Sequence, residues 1–266
     1  MRSTNPVLRR HPFQDQAATG ERMTINGTVN KTGLLLVLAI ITGAWTWHRF
    51  VAAFEEGARN VGIGTESAAM AAASSHAMSA IMPFMIGGLV VGLILALVSA
   101  FKPRWCGITA PAYALAEGFA LGGISAFMDL KYPGIVLQAV MLTAGVMVAM
   151  LVAYRAGWIR VTDKFRTCVV VATGAIFLLY LVDFGLQAFT SADVGFIHDA
   201  GLLGIGFSLL VVGIAALNLV LDFDMIEQGA SRGAPKFMEW YGAFALMVTL
   251  VWLYMEILRL LSKIRR

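Results

Sequence analysis

MSAIMPFMIGGLVVGLILALVSAF, residues 78–101, runs for 24 residues without a charged side chain. A helix needs only about 20 apolar residues to cross the roughly 30 Å hydrocarbon core of a bilayer. This block is long enough, and its apolar residues do not fall into the one-sided stripe of a helix that faces water. Lipid is therefore its solvent. Six further predominantly apolar blocks, most with a single charged residue or none, lie on either side, at roughly 33–52, 108–128, 134–154, 167–189, 201–221 and 240–261. The 266-residue chain is 59% hydrophobic and only 14% charged, where soluble domains carry about a quarter charged residues. An ordinary soluble globular protein is excluded.

The expected fold is all-α, a polytopic membrane protein of seven transmembrane helices. A polar cytoplasmic tail is read over 1–32 and one membrane domain over 33–266. Short polar or turn-rich breaks separate the blocks, KPRWCG at 102–107, DLKYPG at 129–134, TSADVGFIHDA at 190–200 and EQGASRGAP at 227–235. The Ala-, Ser- and Gly-rich stretch 53–77 reads as a surface excursion.

Lys and Arg outnumber Asp and Glu by 20 to 16, but the cations sit at block edges, where they orient a membrane protein rather than bind nucleic acid. The tail, the 102–107 break (Lys102, Arg104) and the 155–166 connection (Arg155, Arg160, Lys164, Arg166) are basic, while alternate connections are nearly free of cations. That pattern places the N-terminus in the cytoplasm. Arg259, Lys263, Arg265 and Arg266 conflict with it, because seven crossings put them outside. Cys106 and Cys168 are too few for a disulfide framework and read as structural thiols.

The acids are the informative anomaly. Glu117, Asp183, Asp222, Asp224, Glu239 and Glu256 lie inside or at the rims of blocks, where a carboxylate costs several kcal/mol unless neutral, paired or hydrated. No Lys or Arg occurs between Ile108 and Met128, Ile135 and Tyr154, or Thr167 and Ser231. Internal salt bridges are therefore expected to be scarce, with Glu256 and Arg259 the one close pair, at i,i+3. Protons or metal cations are the remaining means of neutralisation. At about 1.5 Å per residue, Glu117 falls near mid-membrane and Asp183 toward the outer end of its block. Asp222, Asp224 and Glu239 fall at inner ends and are expected to converge in one carboxylate layer, with Asp222 and Glu239 able to offer Ca²⁺ the oxygen ligands it prefers. Glu117, with no cation on its helix, is far cheaper neutral than charged. The glycines at 87, 88, 92, 118, 122 and 123 read as sites of close helix approach. No Walker A, G-x-S-x-G, H-E-x-x-H or zinc-spaced cysteine pair is present, so no enzyme activity and no resident cofactor are expected.

PAYALAEGFALGGIS, from Pro111 to Ser125, resembles the aromatic-x-x-x-Glu-Gly-x-x-x-Gly-x-x-Ser pattern of the Bax inhibitor/YccA membrane family, through Tyr113, Glu117, Gly118, Gly122 and Ser125. LVLDFDMIEQG at 219–229 and a last helix that opens at Glu239 and closes in EILRLLSKIRR agree with it. TINGTVNKTGLLL at 24–36 and EWYGAFALMVTLVWLYMEILRLL at 239–261 are similar to a bacterial subgroup. The resemblance implies six helices around a central seventh and a pH-sensitive Ca²⁺ leak governed by carboxylates on the last two helices. Asp222 takes the penultimate-helix position, while Glu239 and Ala243 stand where the family carries Asp-x-x-x-Asp. The second helix lacks the basic latch residue of some members.

The leading expectation is a cation leak channel or exchanger of the bacterial inner membrane, in which Ca²⁺ and H⁺ compete for the carboxylates. The alternative is a non-conducting partner of membrane proteases or other integral membrane proteins, acting in protein quality control. Beyond these and the lipid bilayer, no partner is implied, and no nucleic acid.

Overall fold

The computed structural model describes residues 22–60, 66–190, 195–199 and 201–266. Among these, seven long helices and no strands are found: α1 (Ile25–Asn60), α2 (Glu66–Phe101), α3 (Cys106–Lys131), α4 (Ile135–Arg155), α5 (Asp163–Thr190), α6 (Leu202–Ser231) and α7 (Met238–Ile264). A 3₁₀ turn, Pro103–Trp105, joins α2 to α3, and a single helical turn, Gly195–His198, precedes α6. Six of the long helices are long and apolar enough to cross a membrane. The other, α3, is rich in Ala and Gly and buries one face between α1, α2 and α7. The protein is an all-helical integral membrane protein.

Local chemistry sets the helix ends. Thr24 caps α1, its hydroxyl oxygen accepting the Gly27 N–H at 3.0 Å. Gly157 and Gly233 follow α4 and α6 at φ +70° and +68°, the left-handed conformation that terminates helices most cheaply when the residue is glycine.

Two apolar clusters share α7. Leu246, Leu250, Leu253 and Ile257 meet Leu219 and Phe223 of α6 and Ile135 and Ala139 of α4. Ala243, Phe244 and Met247 meet Tyr113 of α3 and Leu35 of α1. Glycine governs the α1–α3 crossing: a Cβ on Gly122 would collide with the Gly43 backbone, and one on Gly118 with Thr42 and Ala39. Gly122→Val should therefore destabilise the fold by at least the roughly 1–3 kcal/mol of overpacking. Gly87→Ala, whose added methyl meets nothing within 4 Å, should cost nothing and raise the midpoint of thermal unfolding in detergent slightly, by the roughly 0.5–1 kcal/mol that separates Ala from Gly inside a helix.

Within the surface excursion read over 53–77, residues 53–60 and 66–77 are helical, and 61–65 lie outside the described residues. α1 continues to Asn60 and α2 starts at Glu66, each 36 residues long and so about 54 Å, well beyond the hydrocarbon thickness. Alanine is the best helix former, and small side chains let the two helices touch. Ala53, Ala73 and Ala77 are buried, and a Cβ on Gly57 would lie 2.9 Å from the Ala73 Cα. Of the stretch read as a tail, residues 1–21 lie outside the described residues, and α1 begins at Ile25.

Contacts between helix ends sort the connections into two sets. At one end, the Met23 N–H donates to the Ala234 carbonyl at 2.8 Å, Arg166 reaches Asp224, and a Cβ on Gly107 would lie 3.7 Å from the Trp240 ring. At the other, Arg265 donates to the Pro133 carbonyl and to Gln138 Oε1, both at 2.8 Å, and Lys263 reaches the first turns of α6.

Candidate functional site

Three of the six acids singled out in the sequence have a cation, supplied from near a helix end. Glu239, in the first turn of α7, is 2% exposed and forms an ion pair with Lys31 of α1. Its Oε1 also accepts the Thr24 N–H and hydroxyl, each at 2.9 Å. The arrangement is a capping box completed from another helix. The residue three beyond a cap is normally Glu or Gln reaching back to the cap N–H; here that position is Gly27, and a Cβ on it would collide with the Glu239 carboxylate. Lys31 also lies over the Trp240 ring, 5.3 Å from its centroid.

Asp224 accepts from Arg166 Nη2 and from Gln228 Nε2, each at 2.7 Å. Glu227, one turn on, accepts the Tyr154 hydroxyl. Glu256 pairs with Arg259 at 3.0 Å, as its i,i+3 spacing implied. The Tyr180 hydroxyl donates to both Glu256 oxygens at 3.1 Å and accepts from Arg259 at 2.6 Å. Asp183 is buried and accepts from Gln187 Nε2 at 2.8 Å.

These pairs correct the expectation that internal salt bridges are scarce. Lys31 and Arg166 stand outside or at the edge of uncharged blocks, and long cationic side chains carry their charge several ångströms along an apolar surface. Asp222, Asp224 and Glu239, expected in one layer, share no hydrogen-bond partner. Residues two apart on a helix do not face the same way: Asp222 turns to Thr249 of α7, Asp224 to Arg166 of α5, and Glu239 to the start of α1. Among the described residues, no three His, Cys, Asp or Glu side chains group closely enough to hold a metal ion.

Two acids have no cation among the described residues. Asp222 Oδ2 accepts the Thr249 hydroxyl at 2.6 Å, and that is its one hydrogen bond there. Glu117 is half-buried on α3 in a notch opened by Gly92 of α2, where a Cβ would lie 2.9 Å from Glu117 Oε2. A carboxylate in apolar surroundings with no positive partner is costly when ionised and is stabilised by any cation that reaches it. Asp222, facing α7 two residues from the Arg166–Asp224 pair, is the centre of the candidate site. Sequence reasoning missed Thr249 and Arg166. Arg166 had a usable signal, as the last cation before the uncharged run that contains Asp224; a threonine inside an apolar helix gives none.

The fold and its buried carboxylates define an integral membrane protein with polar chemistry between its last helices. Over residues 5–266 the sequence matches the family described as Bax inhibitor 1 like, and the protein belongs to that family. Neither curated proteins nor solved structures gave a match.

Proposed function

We propose that the protein is a pH-sensitive Ca²⁺ leak channel or Ca²⁺/H⁺ exchanger, not an enzyme. In this reading it crosses the bacterial inner membrane seven times, with its N-terminus in the cytoplasm and α7 enclosed by the other helices. The observation that carries the reading is Asp222, a carboxylate between α6 and α7 held by one threonine hydroxyl and, among the described residues, no cation. Ca²⁺ passing this point gains an anionic oxygen ligand and completes its shell with water. A proton taken up by the same carboxylate removes that ligand, so H⁺ and Ca²⁺ compete. Arg166, with about half of its side chain exposed, is free to swing away from Asp224 toward solvent, exposing a second carboxylate on the inner side. In this role it replaces the basic latch that α2 lacks.

The test is Ca²⁺ flux into dye-loaded liposomes. Asp222→Asn keeps an acceptor for Thr249 and removes the charge. It should lower flux about tenfold or more, the effect of losing a ligand worth at least about 1.4 kcal/mol, and flatten its dependence between about pH 6 and pH 8. Unchanged flux and pH profile would remove Asp222 from the mechanism. The length of α1 and α2 favours a second reading, a non-conducting partner of membrane proteases or other integral proteins, because their far ends project beyond the bilayer as a helical hairpin. Wild-type protein that carries no Ca²⁺ in liposomes would support it.

A further inference from the structure

A cavity of about 650 Å³ opens beside the Arg166–Asp224 pair, within the roughly 300–1,000 Å³ of small-molecule sites. α1 and α4 form its walls without packing on each other. Phe223 and Ile226 of α6 and Leu246 of α7 form the floor, and the α4–α5 turn covers one end. Its lining along α1 runs from Ile25 to Leu36, which is about 16 Å of helix. Half of a hydrocarbon core of about 30 Å is 15 Å. The groove is thus about as long as one leaflet's hydrocarbon is thick, and most of its lining is apolar.

Its mouth lies at an interface. Trp158, in the turn that covers it, is 80% exposed, as aromatic residues at headgroup level are. Arg155 and Arg160 line the same end, both exposed, and neither has an ion pair among the described residues. The two acids there are already engaged, Asp224 by Arg166 and Glu227 by the Tyr154 hydroxyl. An apolar slot of one acyl chain's length, closed by two free guanidinium groups, matches a molecule with a long tail and an anionic head.

We propose that this groove is a binding site for one anionic phospholipid of the adjoining leaflet, with an acyl chain between α1 and α4 and its phosphate on Arg155 and Arg160. Basic pockets between transmembrane helices on the cytoplasmic side recognise such headgroups.

The test is native mass spectrometry of the full chain released from nanodiscs of equal parts phosphatidylglycerol and phosphatidylcholine. The wild type should retain one phosphatidylglycerol in about tenfold preference. Arg155→Gln with Arg160→Gln should bring the two lipids to near parity, whereas Lys102→Gln with Arg104→Gln, away from the groove, should leave the preference intact. Gly33→Phe fills the groove from α1, where an added Cβ meets nothing within 4 Å, and should lower retention of both lipids. Parity in the wild type, a preference that survives loss of both groove arginines, or equal loss in the Lys102/Arg104 variant would overturn the assignment. So would undiminished lipid in Gly33→Phe; should that variant fail to fold, the exposed arginine pair still decides.

Discussion

Lys31→Met should destabilise the folded protein by about 3–5 kcal/mol, the usual cost of removing one partner from a buried ion pair. The change leaves Glu239, 2% exposed, with the Thr24 N–H and hydroxyl but no positive charge. Thermal unfolding in detergent should show a large fall in midpoint. Adding Glu239→Gln should recover most of it, since the amide oxygen accepts the same two Thr24 hydrogen bonds and carries no charge to leave unpaired. Asp222→Asn should behave in the opposite way. Asp222 has no cation to orphan among the described residues, so the substitution should cost little stability and change permeation instead. Equal instability of Lys31→Met with and without Glu239→Gln would show that the lysine acts by packing and not by charge.

That contrast divides the acids into two kinds, and sequence alone could not make the division. The uncharged blocks were legible because lipid imposes one strong requirement, about 20 apolar residues in a row, and α2, α4, α5 and α6 meet it without ambiguity. The ends of α1 and α2 were not legible. Ala, Ser and Gly between 53 and 77 have no hydropathy that separates a helix in water from a loop, and the helices form there because two alanine faces pack together.

At the site, carboxylates stood out because they are costly in lipid, but their partners did not. Lys31 lies 208 residues from Glu239 and Arg166 lies 58 from Asp224, and no periodicity links such positions. A spacing of two on a helix separates the directions of Asp222 and Asp224, so the different partners of the two follow from their spacing. The glycines divide similarly. Gly118 and Gly122 are required by the α1 backbone, whereas Gly87 faces open space, and only the crossing of the helices distinguishes them.

A cysteine placed after Arg266 should be labelled by an impermeant maleimide in intact cells, because seven crossings from a cytoplasmic N-terminus put the end of α7 outside. The four C-terminal cations count toward a cytoplasmic C-terminus, but orientation follows the bias of all the short loops and the first helix usually dominates. Arg259, Lys263 and Arg265 are moreover held by partners in the fold. Arg259 is paired with Glu256 and lies over the Tyr180 ring, 4.8 Å from its centroid. The Lys263 ammonium is buried, donating to the Gly204 carbonyl at 2.9 Å and to Ser208 Oγ at 2.8 Å. Arg265 is fixed to the α3–α4 turn through Pro133 and Gln138. The start of α7 is held just as firmly at the opposite end, through Glu239, Lys31 and Thr24. If α1 begins in the cytoplasm, Glu239 lies there too, and 27 residues of helix, about 40 Å, carry Ile264 to the other face. Labelling that appears only after permeabilisation would mean that the N-terminus itself is outside or that α7 re-enters. A second cysteine at Asn26, beside the α1 cap, separates those outcomes: it should stay unlabelled in intact cells, and its labelling there would invert the whole bundle.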